Sequence, residues 1–138
     1  MEQDCIFCKI VNKELPCYKV YEDDFVLAFL DVNPVSLGHT LVIPKKHYEN
    51  IFDIDGETFK KIAEVSRIIA LKMVNNLDGV LGVNVFQSNG RVAEQVVMHS
   101  HTHLIPRRED DSFRINDALR SFKLEDNQFK SILEKIKI

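Results

Sequence analysis

The chain carries no excess of positive charge, no apolar run long enough to cross a bilayer, no even set of cysteines and no glycine-rich phosphate loop. Each absence excludes something. Eighteen Lys and Arg stand against twenty-one Asp and Glu, a formal net charge of -3, whereas duplex nucleic-acid binders are strongly basic. A small phosphate ligand stays open, because local charge decides that. No window approaches the roughly 18 apolar residues of a membrane span. The opening Met1-Glu2-Gln3-Asp4 lacks the basic and apolar regions of a signal peptide, so a cytoplasmic location is the expectation. Three cysteines cannot all pair within one chain, and a reducing cytosol disfavours disulfides in any case. There is no repeat, no low-complexity tract and no Gly/Ser linker, so 138 residues are expected to form one domain around one core.

Hydropathy patterning suggests an α+β order. Ile6, Phe7, Ile10 and Val11 have helix-like spacing within residues 4–13. From Cys17 to Leu30 the pattern turns strand-like, with Glu22-Asp23-Asp24 as a hairpin turn. Residues 39–43 form a buried strand. Residues 56–76 are the clearest helix, with Asp55 as its cap. Strands follow at 81–88 and 96–105, then short helices at 113–121 and 125–136. The expected fold is a mostly antiparallel sheet of about five strands with one long helix and short terminal helices.

The chemistry concentrates in two clusters. His99, His101 and His103 alternate, so on a strand all three imidazoles share one face, about 7 Å apart. Protonated together they would repel, so at least one must bind a cation or stay neutral. One zinc held by all three is disfavoured, since bonds of about 2.0–2.1 Å cannot reach alternate strand positions. Cys5 and Cys8 form a C-x-x-C one helical turn apart. They can grip a metal ion, and two thiolates want two further ligands; the redox alternative lacks the βαβ pattern expected of it. Cys17 and His39 read as structural residues.

Cys5-Ile6-Phe7-Cys8-Lys9-Ile10, Ala28-Phe29-Leu30-Asp31-Val32, Gly38 to His47 (GHTLVIPKKH) and the triad, in this order, resemble the histidine-triad (HIT) family. Within it they look most like the zinc-bearing, nucleotide-binding phosphoramidase branch. The resemblance runs from about residue 4 to Arg107 and leaves the charged tail 108–138 uncovered. It implies a HIT-like fold, a homodimer and a purine nucleotide substrate. It implies a structural zinc on Cys5, Cys8, His47 and His99, with no magnesium requirement. It makes His101 the nucleophile that forms a nucleotidyl-histidine, with one ring nitrogen donating to a backbone carbonyl and His103 holding phosphoryl oxygens. Asp31 would bind the ribose hydroxyls, although it can also cap the loop before Asn33-Pro34. Ile6, Phe7, Phe29 and Val32 would clamp the purine, and Asn89 and Gln95 would lie near the phosphate, although Asn89 can equally serve the Asn-Gly turn.

The implied activity is release of AMP from adenosine phosphoramidates or related adenylates. The alternatives are hydrolysis of dinucleoside polyphosphates, or a nucleotide-binding regulator with little turnover. This sequence departs from the family pattern at Glu94, where glycine is usual, and at Val96, where a hydroxyl is common. It departs again at Ser100 and Thr102, between the histidines, where apolar residues are usual.

Overall fold

The computed structural model describes residues 4–112 and 114–138. Helix α1 (Ile6–Val11) is followed by β1 (Lys19–Glu22), β2 (Val26–Leu30), β3 (Thr40–Pro44), α2 (Gly56–Asn76), β4 (Gly82–Phe86), β5 (Thr102–Arg107) and α3 (Asp126–Ile136). The five strands form one antiparallel sheet in the order β1-β2-β3-β5-β4, which is the α+β architecture expected. The hairpin between β1 and β2 turns on Asp23, whose Oδ1 accepts from the N–H groups of Phe25 and Val26, both at 2.8 Å. A bulge between Lys19 and Tyr21 shifts the β1 register.

Strand alternation assigns the two sheet faces. Val26, Ala28, Val42 and Leu104 point to one side and pack on Ile62, Val65, Ile69 and Met73 of α2. These helix positions recur every three to four residues, so they form a single stripe. Asp55 caps α2, accepting from Thr58 N–H. Leu27, Phe29, Leu41 and Ile43 point to the other side and pack on Phe7 of α1. Leu41 pairs with His103 across β3 and β5, and directly paired residues share a face. The α1 side of the sheet is therefore the side on which His103 stands.

Three boundaries differ from expectation. The last strand spans 102–107 rather than 96–105, so His99 and His101 lie on the approach to β5. Backbone pairing does not begin there: Ser100 N–H donates to Tyr48 O at 2.7 Å, away from the sheet ladder. The strand runs through Pro106 because pairing with β3 has already ended at Leu104, so a missing N–H is tolerated. Of the helix expected at 113–121, the structure forms only a 3-10 turn at Ile115–Asp117, and Phe113 lies outside the described residues. Strand β1 starts at Lys19, not Cys17. Helix α3 carries Phe129, Ile132, Leu133 and Ile136, all exposed.

Candidate active site and metal centre

Two clusters lie on either side of Phe7. Its ring meets His99 edge-on at 5.8 Å between centroids, and His101 at 5.3 Å. On one side, Cys5, Cys8, His47 and His99 bring four ligand atoms within 4.8 Å of one another. Cys5 is the N-cap of α1, and its Sγ accepts from Cys8 N–H. Cys5 Sγ lies 3.3 Å from His99 Nδ1, Cys8 Sγ 3.5 Å from the same atom, and Cys8 Sγ 3.3 Å from His47 Nδ1. A tetrahedral zinc with ordinary Zn–S and Zn–N bonds holds its sulfur and nitrogen ligands about 3.5 Å apart. The tautomer fits as well. His99 Nε2 stands 2.8 Å from the carbonyl of Pro44, so Nε2 carries the proton and Nδ1 turns its lone pair to the thiols, the usual outer-shell arrangement of a metal-bound histidine. His99 is fully buried. Burial, above all, holds its pKa down to about 4, which keeps it a neutral ligand.

On the other side of Phe7 lies a cavity of about 740 Å³, lined among others by Ile6, Phe7, Phe29, Asp31, Val32, His101 and His103. His101 Nδ1 is 2.7 Å from the carbonyl of His99. A carbonyl only accepts, so Nδ1 bears the proton and Nε2 is left with the lone pair. Burial lowers the His101 pKa, opposed by that hydrogen bond and by Asp31. A neutral imidazole with a free Nε2 is a nucleophile.

A second chain of bonds fixes His103. Gly38, at φ +99, turns the chain into β3 in a backbone conformation that strains any residue with a side chain, so glycine is favoured there. The turn buries His39, whose Nδ1 accepts from Val35 N–H at 3.3 Å. His39 Nε2 therefore carries the proton, and it lies 2.9 Å from His103 Nδ1. That nitrogen accepts, so His103 presents Nε2–H as a donor. Burial first, then His101 and His39, holds the His103 pKa down to about 4. The rings of His101 and His103 are 5.0 Å apart, closer than even strand spacing predicts, and Phe86 stacks on His103 at 4.6 Å. One imidazole thus offers a lone pair and its neighbour a proton.

His39 is the residue that sequence reasoning missed. It belongs to the site rather than to the core, and its Nε2 also lies 3.7 Å from Asp31 Oδ2. Asp31 itself serves two purposes: Oδ1 accepts from Asn33 N–H, capping the loop, while the residue lines the cavity. Asn89 and Gln95 do not line it. Asn89 Oδ1 accepts from Ile51 N–H and Gln87 Nε2. Gln95 is buried, accepting from Gly90 N–H and Asn50 Nδ2 and donating to the carbonyls of Glu49 and Val97. Both hold the loop before the triad. The unexpected Ser100 and Thr102 share one partner, Gln87, which donates to Ser100 Oγ and accepts from Thr102 Oγ1.

The five-stranded antiparallel sheet thus carries His103 on β5, with His101 just ahead of it, in the wall of the cavity. Residues 12–110 match the HIT domain family, and the chain belongs to it. It is 47% identical over 136 residues to an uncharacterized HIT-like protein of Borreliella burgdorferi, covering 96% of both chains. It is 37% identical to the adenosine 5′-monophosphoramidase of Schizosaccharomyces pombe, over 96% of this chain and 95% of that one. A HIT family crystal structure from Bacillus subtilis superposes with a TM-score of 0.86 at 38% identity, covering 96% of this chain and 94% of that one. A zinc-bound histidine-triad protein of Mycobacterium smegmatis gives 0.79 at 36% identity, covering 83% of both. Among the described residues no helix is long and apolar enough to cross a membrane.

Proposed function

We propose that this protein is a hydrolase that releases AMP from adenosine phosphoramidates or related adenylates through a nucleotidyl-histidine at His101. The observation that supports this reading is the 2.7 Å contact from His101 Nδ1 to the His99 carbonyl, which leaves Nε2 with the lone pair a nucleophile needs. Nε2 attacks the α-phosphorus, a P–N bond forms, and the bond to the leaving group breaks as that group takes a proton from solvent, which the later hydrolysis returns. Water then cleaves the phosphohistidine, releasing AMP and restoring neutral imidazole. His103 Nε2–H donates to a non-bridging phosphoryl oxygen, where charge builds in the transition state. Asp31 Oδ2 accepts from ribose hydroxyls, and Ile6, Phe7, Phe29 and Val32 offer flat apolar contact to a purine. No step calls for magnesium.

The donor set Cys5, Cys8, His47 and His99 suits zinc, with two soft sulfurs and two imidazoles at tetrahedral separations. When bound, such an ion supplies a cross-link between α1 and the triad segment and does no chemistry on substrate. A reducing cytoplasm suits these thiols, which form no disulfide among the described residues. Pairing of two copies is supported by an apolar groove of about 610 Å³ between α2 and the β4 edge, lined by Phe59, Ala63, Ala70, Val74 and Val85.

The test is intact-protein mass spectrometry after rapid mixing with adenosine 5′-phosphoramidate. A transient adduct of AMP mass, absent from His101→Ala, supports the reading. Nucleotide binding with neither adduct nor AMP release sinks it and turns the reading to a dinucleoside polyphosphate substrate or a regulator.

A further inference from the structure

One acid in the cavity wall is left over by this chemistry. Glu94 lines the same cavity as His101 and His103. It sits at φ +66 in the left-handed region, closing the 3-10 turn Arg91–Ala93, where glycine is the comfortable residue and a glutamate is strained. The strain has no structural return within the chain. Among the described residues its carboxylate makes no hydrogen bond or ion pair, and its backbone N–H to Arg91 O would form equally well with glycine. Among the described residues the other acid in the cavity wall, Asp31, is engaged by Asn33 N–H and lies 3.7 Å from His39. No lysine or arginine among the described residues lines the cavity.

Asp31, Phe29, Val32 and Ile6 line the cavity and are the residues assigned above to the nucleoside. Ser88, Glu94 and Val96 form the stretch that leads into the triad segment. These three also line the cavity and have no part in the nucleoside contacts, which leaves them for whatever is attached to the α-phosphate.

We infer that Glu94 is a specificity-determining residue of a leaving-group subsite that takes cationic groups, such as the ammonium of an amine joined to AMP through a P–N bond. This rests on the hydrolase reading above. A carboxylate in the wall of this cavity attracts a positive leaving group and repels sulfate or pyrophosphate, so it sorts adenylates by the charge of the departing part. Because Glu94 is exposed, the effect is modest and weakened by salt.

The test uses three probes that differ chiefly in that charge: AMP linked by a P–N bond to 1,5-diaminopentane, AMP linked likewise to n-pentylamine, and adenosine 5′-phosphosulfate. The wild-type protein should favour the ammonium-tipped probe over the pentyl probe by roughly fivefold in kcat/KM at low salt. Glu94→Gln should bring that ratio to about one and raise relative turnover of the phosphosulfate. Glu94→Gly should do the same while raising Tm, since it relieves the strained φ. Glu57→Gln, an equal change in net charge on α2, should leave the ratio as it was. An ammonium-to-pentyl ratio that is unchanged in both Glu94 variants overturns the assignment while the hydrolase stands. A wild-type protein that cleaves none of the three overturns the hydrolase reading, and this one falls with it.

Discussion

Cys8 Sγ lies 3.3 Å from His47 Nδ1, joining helix α1 to the segment just beyond β3. Neither residue gains from the other without an ion between them, since a thiol is a weak partner for imidazole. The purified protein is therefore expected to hold about one zinc per chain. Cys8→Ser should remove most of it, as elemental analysis would register. Thermal melting should show a lower Tm for the variant, and chelation should lower the wild-type Tm to a similar value. Full zinc occupancy in the variant would break this assignment.

His39 sets the proton of His103 without lining the cavity. His39→Phe leaves His103 Nδ1 buried without its donor, at a cost of about 1–3 kcal/mol, or roughly 5- to 150-fold in rate if it falls on the transition state. The loss is expected in kcat with KM little changed, because the nucleoside contacts remain. His39→Gln, which keeps an N–H donor, should recover part of it. Equal losses in both variants, or a loss confined to KM, would count against this relay.

Asp23 ties stability to acid. Burial raises its pKa, but hydrogen bonds from Phe25 N–H, Tyr21 Oη, Val26 N–H and Lys61 outweigh that and hold it down to about 2. An unfolded Asp titrates near 3.9. Its contribution is thus complete above about pH 4 and is lost as pH falls from there toward 2. Asp23→Asn should lower Tm at neutral pH and flatten the decline of Tm between pH 4 and pH 2. A variant whose Tm still follows the wild-type slope over that range would remove Asp23 from the account.

Val85 is 54% exposed on the edge strand β4. If two copies meet there, Val85→Lys places a charge in an apolar seam and should shift the protein toward monomer in sedimentation equilibrium. A protein monomeric from the start, or a dimer indifferent to the lysine, would send the search to another face.

Much of the fold was legible because its signals are local. The helix 56–76 announces itself by a stripe repeated over about three turns, from Ile62 to Met73, and by Asp55 at its start. The first hairpin is written in Asp23, whose carboxylate builds the turn. The C-x-x-C and the alternating histidines named the two clusters, and the expected carbonyl partner of His101 is the carbonyl of His99. What stayed hidden depends on contacts distant in sequence. His39 looks like any histidine before a buried strand, and only the pairing of β3 with β5 brings it to His103. The stretch from His99 to His101 alternates like a strand, yet Pro44, Tyr48 and Gln87 hold it in place of a ladder. Gln95 has the chemistry of a phosphate contact, but four loop groups consume it, a fact no spacing reveals.

The bulge in β1 has a consequence for growth. It breaks the regular ladder at one rim of the sheet, where Lys19 and Glu22 add charge, and such rims resist the approach of another strand. The opposite rim, β4, has Val83, Val85 and Phe86 and no charged residue between Gly82 and Phe86. A sheet with one rim guarded and one open can be extended only once: two copies joined through β4 expose guarded rims at both ends, so the addition terminates itself instead of propagating into a fibre.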